Sequence, residues 1–218
     1  MNKKPLFVVA LAALLVVFGF GTLFYYAMNE NQVSSLPEAK RTALIRMHSP
    51  TLGNIDAPVV IVEFFDPACE TCAAFYPRVK EIMAANPDKI RLVLRYAPFH
   101  KDSDKVAALL EAARKQGKFW PALETLLATQ ADWAPNHTPQ ISLVWKQLER
   151  LGLNMEKLRA DMAAPEIANA IAQDVADARV LNVTKTPEYF VNGRPLPSFG
   201  FEQLKKLIDE ALNEARRR

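Results

Sequence analysis

The stretch VVIVEFFDPACETCAAFYP, residues 59–77, holds both cysteines of the chain and decides how it folds. Val59 to Phe65 is a short apolar run of β-branched and aromatic residues bounded by Pro67, and it reads as a buried strand. From Cys69 onward Ala, Phe, Val, Ile and Met recur at helical spacing as far as Ala85, where Asn86-Pro87-Asp88 stops the helix. Pro77 cannot donate to the carbonyl of Ala73, yet the apolar periodicity continues through Val79, Ile82 and Met83. A kink is therefore expected at Pro77 rather than an end. Ile90 to Tyr96 makes a second strand, so the unit is β-turn-α-β. Such a crossover implies parallel, buried strands, with the cysteines where strand feeds helix.

Downstream the chain reads as helix throughout its middle. Asp102 to Gln116 is closed by Gly117, Thr138-Pro139 opens a helix ending near Gly152, Asn154 caps another, and Pro165 opens one running to about Leu181. No strand candidate occurs between Tyr96 and Val183, so these helices read as a lid or subdomain inserted between strands. β character returns at Glu188 to Val191, and Asn192-Gly193 is a strong hairpin signal. The return strand contains Pro195 and Pro197, which confine it to a sheet edge. Phe201, Leu204, Leu207, Ile208, Ala211 and Leu212 fall on one face of a terminal helix.

Upstream, Pro5 to Ala27 carries no charged side chain and is long enough to cross a bilayer as a helix. Lys3 and Lys4 precede it and Glu30 follows, which places the N-terminus in the cytoplasm and the rest outside. A cleaved signal peptide competes with this reading, but Tyr25-Tyr26-Ala27 puts a bulky residue at a position where cleavage needs a small one. The expected organisation is a cytoplasmic N-terminus at 1–4, a transmembrane signal anchor at 5–28, a linker at 29–50 and an α/β domain at 51–218 with a helical insertion at about 100–182. Lys and Arg number 27 against 24 Asp and Glu, and two of the basic residues precede the anchor. The near balance lacks the one-signed field of a nucleic-acid binder.

Two cysteines cannot make a disulfide scaffold, and a bridge between Cys69 and Cys72 would close almost no loop, so it would stabilise little. The spacing suits chemistry or half of a metal site. A helix N-terminus presents unpaired N–H groups and partial positive charge, which stabilise a thiolate at Cys69. Cys72, within the first turn and expected to be covered, is then the resolving thiol. Glu63 interrupts a run that should be buried on both faces. Buried, it would have a raised pKa and could exchange a proton with Cys72; the competing reading is an exposed glutamate at a strand end.

Glu63-Phe64-Phe65, Cys69-Glu70-Thr71-Cys72 with Pro77 beyond, Gln116-Gly117-Lys118-Phe119-Trp120 and Thr186-Pro187-Glu188-Tyr189-Phe190-Val191-Asn192-Gly193 together resemble the DsbA-type branch of the thioredoxin superfamily. The resemblance spans about Gly53 to the C-terminus. It implies a thioredoxin fold with a helical insertion, a bacterial-type extracytoplasmic thiol–disulfide oxidoreductase, and a cis Thr186-Pro187 bond facing the cysteines. It also implies that Thr186 and Pro187 shape a groove in which the client pairs like an added strand, that Glu63 is the buried acid, and that Cys69 and Cys72 are nucleophile and resolver. No cofactor or metal is implied. The implied partners are cysteine-containing exported proteins and a membrane redox protein, either a DsbB-type oxidase or an electron-donating reductase.

The chain departs from the strongly oxidising members of that family, which carry Pro-His between the cysteines. Here Glu70 and Thr71 tune the pair, and a carboxylate at Glu70 is expected to raise the thiol pKa and give a weaker oxidant. Oxidase is the preferred direction, with reductase and isomerase open. A further alternative is a copper- or zinc-handling module using the two thiolates and one histidine. His48, His100 and His137 are far apart in sequence and are expected to be surface or helix-flanking residues.

Overall fold

The computed structural model describes residues 18–19 and 38–217. The expected cytoplasmic N-terminus and, but for Phe18 and Gly19, the expected anchor lie outside the described residues. No described helix is long and apolar enough to cross a membrane.

Within 38–217 a five-stranded mixed sheet runs in the order β1-β3-β2-β4-β5. Its centre is β2 (Val59–Phe65), whose β-branched run suits a strand covered on both faces; only Val60 is less than buried. β2 pairs parallel with β3 (Ile90–Tyr96) from Val59↔Ile90 to Phe65↔Tyr96, the register expected of a β-α-β crossover. On its other side β2 pairs antiparallel with β4 (Glu188–Val191), which sets Glu63 opposite Tyr189. β4 turns back through Asn192-Gly193, both at positive φ, into β5 (Arg194–Pro195) at the sheet edge, as the proline content requires.

The opposite edge was not legible. β1 (Thr51–Leu52) is two residues long and antiparallel to β3, too short for any periodicity to announce. It ends at Gly53, whose φ of +97° and 2.5 Å approach of an added Cβ to the Ile90 carbonyl oxygen leave room for glycine alone.

Helix α1 (Glu38–Leu44) lies within the stretch read as linker, and it buries Ala43 and Leu44. Helix α2 (Glu70–Ala85) follows β2 and runs on through Pro77. The insertion comprises α3 (Ser103–Arg114), α4 (Phe119–Ala128), α5 (Gln130–Trp133), α6 (Ile141–Leu148), α7 (Met155–Met162) and α8 (Pro165–Val180). Its core is continuous with that of the sheet: Val106, Leu109, Leu110, Leu123, Trp133, Val144, Leu148 and Leu158 are sealed from solvent in the same cluster as Ile61, Leu92 and Val191. Helix α9 (Phe201–Arg217) buries Leu204, Leu207, Ile208, Ala211 and Leu212, the face that the spacing predicts.

Arg95 on β3 is completely buried, and its guanidinium bonds to Asp174 (2.8 Å) and Asp177 (2.6 Å) of α8 and to the Ala43 carbonyl at the end of α1. Arg46 grips Asp177 with two hydrogen bonds of 2.8 and 2.7 Å, and His48 meets Asp174 at 2.7 Å. The segment that enters the domain is thereby tied to both the sheet and the insertion.

Candidate active site

The site forms where β2 ends and α2 begins. Asp66 shapes this turn: its Oδ1 accepts the Ala68 N–H at 2.8 Å, and its Oδ2 accepts the His100 N–H at 2.8 Å and lies 2.8 Å from the His100 ring. Cys69 is the N-cap of α2, in extended conformation (φ −82°, ψ 116°), so its side chain turns back over the first turn. Its sulfur accepts the Cys72 N–H at 3.4 Å, taking one of the donors that a helix start leaves unpaired. Its thiol also donates to the Thr186 carbonyl at 3.3 Å, directly before the Thr186–Pro187 bond, which is cis. The structure thus brings Cys69, Cys72, Thr186 and Pro187 together, as the resemblance implies.

The two thiols, both free, are unlike. The Cys72 thiol beside it, with the Thr186 side chain and the Cys72 and Thr71 amides, holds the Cys69 thiol down from 9.0 to about 6 against the upward push of burial. Cys72 moves the other way. Burial pushes it well above 9.0, and the Cys69 sulfur and the Glu63 carboxylate add to the effect. Cys69 keeps 5% of its surface and Cys72 1%, so an incoming sulfur reaches Cys69 first. Glu70 is exposed to solvent, and the Cys69 thiol lies below the ordinary cysteine value beside it. Backbone and cysteine hydrogen bonds outweigh a carboxylate that points into water.

Glu63 is 2% exposed, which excludes the exposed strand-end reading. Burial lifts its pKa from 4.5 to about 8; the Tyr189 hydroxyl pulls it partly back, and charge on Cys69 raises it further. Glu63 Oε2 and the Tyr189 hydroxyl are both buried, and the β2–β4 register sets the two residues opposite one another. A carboxyl poised near neutrality and coupled to Cys72 can take or return a proton as that thiol changes state. Tyr189 is a member of the site that the sequence reading passed over. Its pairing with Glu63 could have been read only once the β2–β4 register was known.

The histidines also differ from expectation. His100 and His137 stack with ring centroids 4.6 Å apart beside the active-site turn, and His137 Nδ1 lies 3.2 Å from the Ala68 carbonyl. His48 instead joins the buried ion network. Among the described residues no three His, Cys, Asp or Glu side chains converge as a metal-ligand set, so the two sulfurs meet no third ligand of that kind.

The thioredoxin family model matches residues 46–210. Probable disulfide bond formation protein D of Bacillus cereus is 29% identical over 218 residues, covering 95% of this chain and 95% of that protein. The chain belongs to the thioredoxin family. Among solved structures, a thioredoxin-like oxidoreductase from Silicibacter pomeroyi DSS-3 matches this thioredoxin-family chain with a TM-score of 0.69 and 32% identity, over 82% of this chain and 98% of that one. Na(+)/H(+) antiporter NhaA 3 of Salinispora tropica is 34% identical over 170 residues, which is 76% of this chain and 25% of the antiporter. The chain therefore spans about a quarter of the length of that curated relative.

Proposed function

We propose that this DsbA-like protein is a membrane-anchored extracytoplasmic oxidase that passes the Cys69–Cys72 disulfide to cysteine-containing exported proteins. The observation that carries this reading is the asymmetry of the pair, one thiol held down to about 6 and reachable, the other raised and covered. A client thiolate attacks the Cys69 sulfur of the oxidised pair, the Cys69–Cys72 bond breaks, and Cys72 leaves and takes up a proton. Glu63, with its pKa near 8, is the group that supplies this proton and receives it back in the reverse step. A second client thiolate then attacks the client sulfur of the mixed disulfide. The client disulfide forms, Cys69 departs as a thiolate, and two electrons have moved to the pair.

Thr186 and Pro187 line the approach to Cys69 and give the client backbone an edge to pair with. The apolar run before Ala27 serves as the anchor, and a DsbB-type membrane oxidase reoxidises the pair. A thiol pKa of about 6 lies between the values of about 7 in thioredoxin and about 3.5 in DsbA. A reduction potential between about −270 and −120 mV is expected.

The test is the redox state of the pair in intact cells, read by acid quenching and alkylation with a reagent that shifts gel mobility per free thiol. A pair mostly in disulfide form is expected. A pair mostly in dithiol form contradicts the oxidase direction and marks a reductase or isomerase.

A further inference from the structure

Gln130 opens the short helix α5 of the insertion, and its buried side chain crosses to the other half of the domain. Its Nε2 donates to the Pro67 carbonyl at 2.7 Å and to the Cys69 carbonyl at 3.1 Å. The carbonyl between them, that of Ala68, is the one that His137 Nδ1 meets at 3.2 Å. All three successive carbonyls ahead of α2 are thus met by side chains from the insertion. Gln130 is itself held firmly: three residues on, the fully buried Trp133 donates its indole N–H to the Leu126 carbonyl at 2.8 Å, fixing the corner between α4 and α5.

We propose that Gln130 is a positioning residue, through which the helical insertion holds the Pro67–Cys69 turn in the shape that keeps the Cys69 sulfur on the Cys72 amide. The Cys69 carbonyl also accepts the Ala73 N–H at 3.1 Å, so this one peptide belongs at once to α2 and to the clamp. Turning that peptide moves the Cys69 side chain relative to the amides of the first turn, and hydrogen bonds weaken steeply with angle. Without Gln130 the Pro67 and Cys69 carbonyls lose a buried donor, and the turn rotates to recover one. The proposal rests on the reading of Cys69 as the attacking thiol.

Gln130→Leu removes the donor at similar size, and Gln130→Asn keeps the amide but withdraws it by one methylene. Two readouts apply to the full chain: thiolate absorbance against pH, and the equilibrium in which the protein disulfide and two glutathione thiols exchange with the protein dithiol and glutathione disulfide. Both variants are expected to raise the titration midpoint of Cys69 by about one unit and to move the exchange about tenfold toward the protein disulfide. A purely structural Gln130 would lower the unfolding midpoint and leave both readouts at the wild-type value, which overturns the proposal. If Gln130→Leu does not fold, Gln130→Asn decides. A wild-type Cys69 that titrates as an ordinary thiol would overturn the reading of the site itself.

Discussion

The buried carboxylates between β3 and α8 and the one beneath the cysteines are held in opposite ways. Between β3 and α8, Asp174 and Asp177 face Arg95, with Arg46 and His48 closing the network. Burial acts to raise Asp177, but Arg46 and Arg95 overcome it and hold the carboxyl below 3.8. Beneath the cysteines Glu63 meets no cationic partner among the described residues, and burial lifts it to about 8. A buried acid with its charge matched is a fastener, fixed in one state; a buried acid left unmatched is a proton site, able to change state.

The comparison is broken most severely at Arg95. Arg95→Ala leaves Asp174 and Asp177 buried without their central cation and is expected to cost about 3–5 kcal/mol in urea unfolding. Adding Asp174→Asn and Asp177→Asn to it should return part of that loss; a triple variant less stable than the single one would show that the network is more than charge matching.

Glu63→Gln acts at the other end of the contrast. At pH below 4.5 the carboxyl is protonated both folded and unfolded. Between 4.5 and about 8 only the unfolded chain releases the proton, so the wild type loses stability as pH rises, and above 8 the slope ends. The variant should lack this slope and be more stable than wild type at pH 8, by on the order of a few kcal/mol, with no comparable gain near pH 4. Its resolving step should also lose its dependence on a group titrating near 8. Parallel stability curves from pH 4 to 9 would contradict the buried, unpaired state of Glu63.

Arg46→Ala is the mildest change, because this side chain is about one-third exposed. A loss of about 1 kcal/mol is expected, with faster proteolysis ahead of β1 and no change at the cysteines. An altered thiol titration in this variant would mean that the two regions are coupled.

The sequence and the structure agree where a local pattern carries the information. The β-branched run at Val59 to Val62, the apolar spacing after Cys69 and the Asn192-Gly193 hairpin each announce their element within a few residues. Pro77 was legible as an interior proline because the apolar face continues past it, and Glu63 because it breaks an otherwise apolar strand. What could not be read is what only the fold brings together. Arg46 meets Asp177 and Arg95 meets Asp174 across most of the domain, and nothing local marks Arg95 as buried. His100 and His137 stack because β3 and the insertion both return to the active-site turn. Gln130 is an ordinary polar residue until its amide is seen on the Pro67 and Cys69 carbonyls.

One thiol of the pair is activated while the other is held in reserve. The most direct test is the rate of alkylation of each cysteine in the reduced protein as a function of pH, with the modified residue identified by mass. Cys69 alone is expected to react, with a midpoint near pH 6, while Cys72 stays silent until far more alkaline pH. Equal reactivity of the two, or a Cys69 midpoint near 9.0, would contradict it.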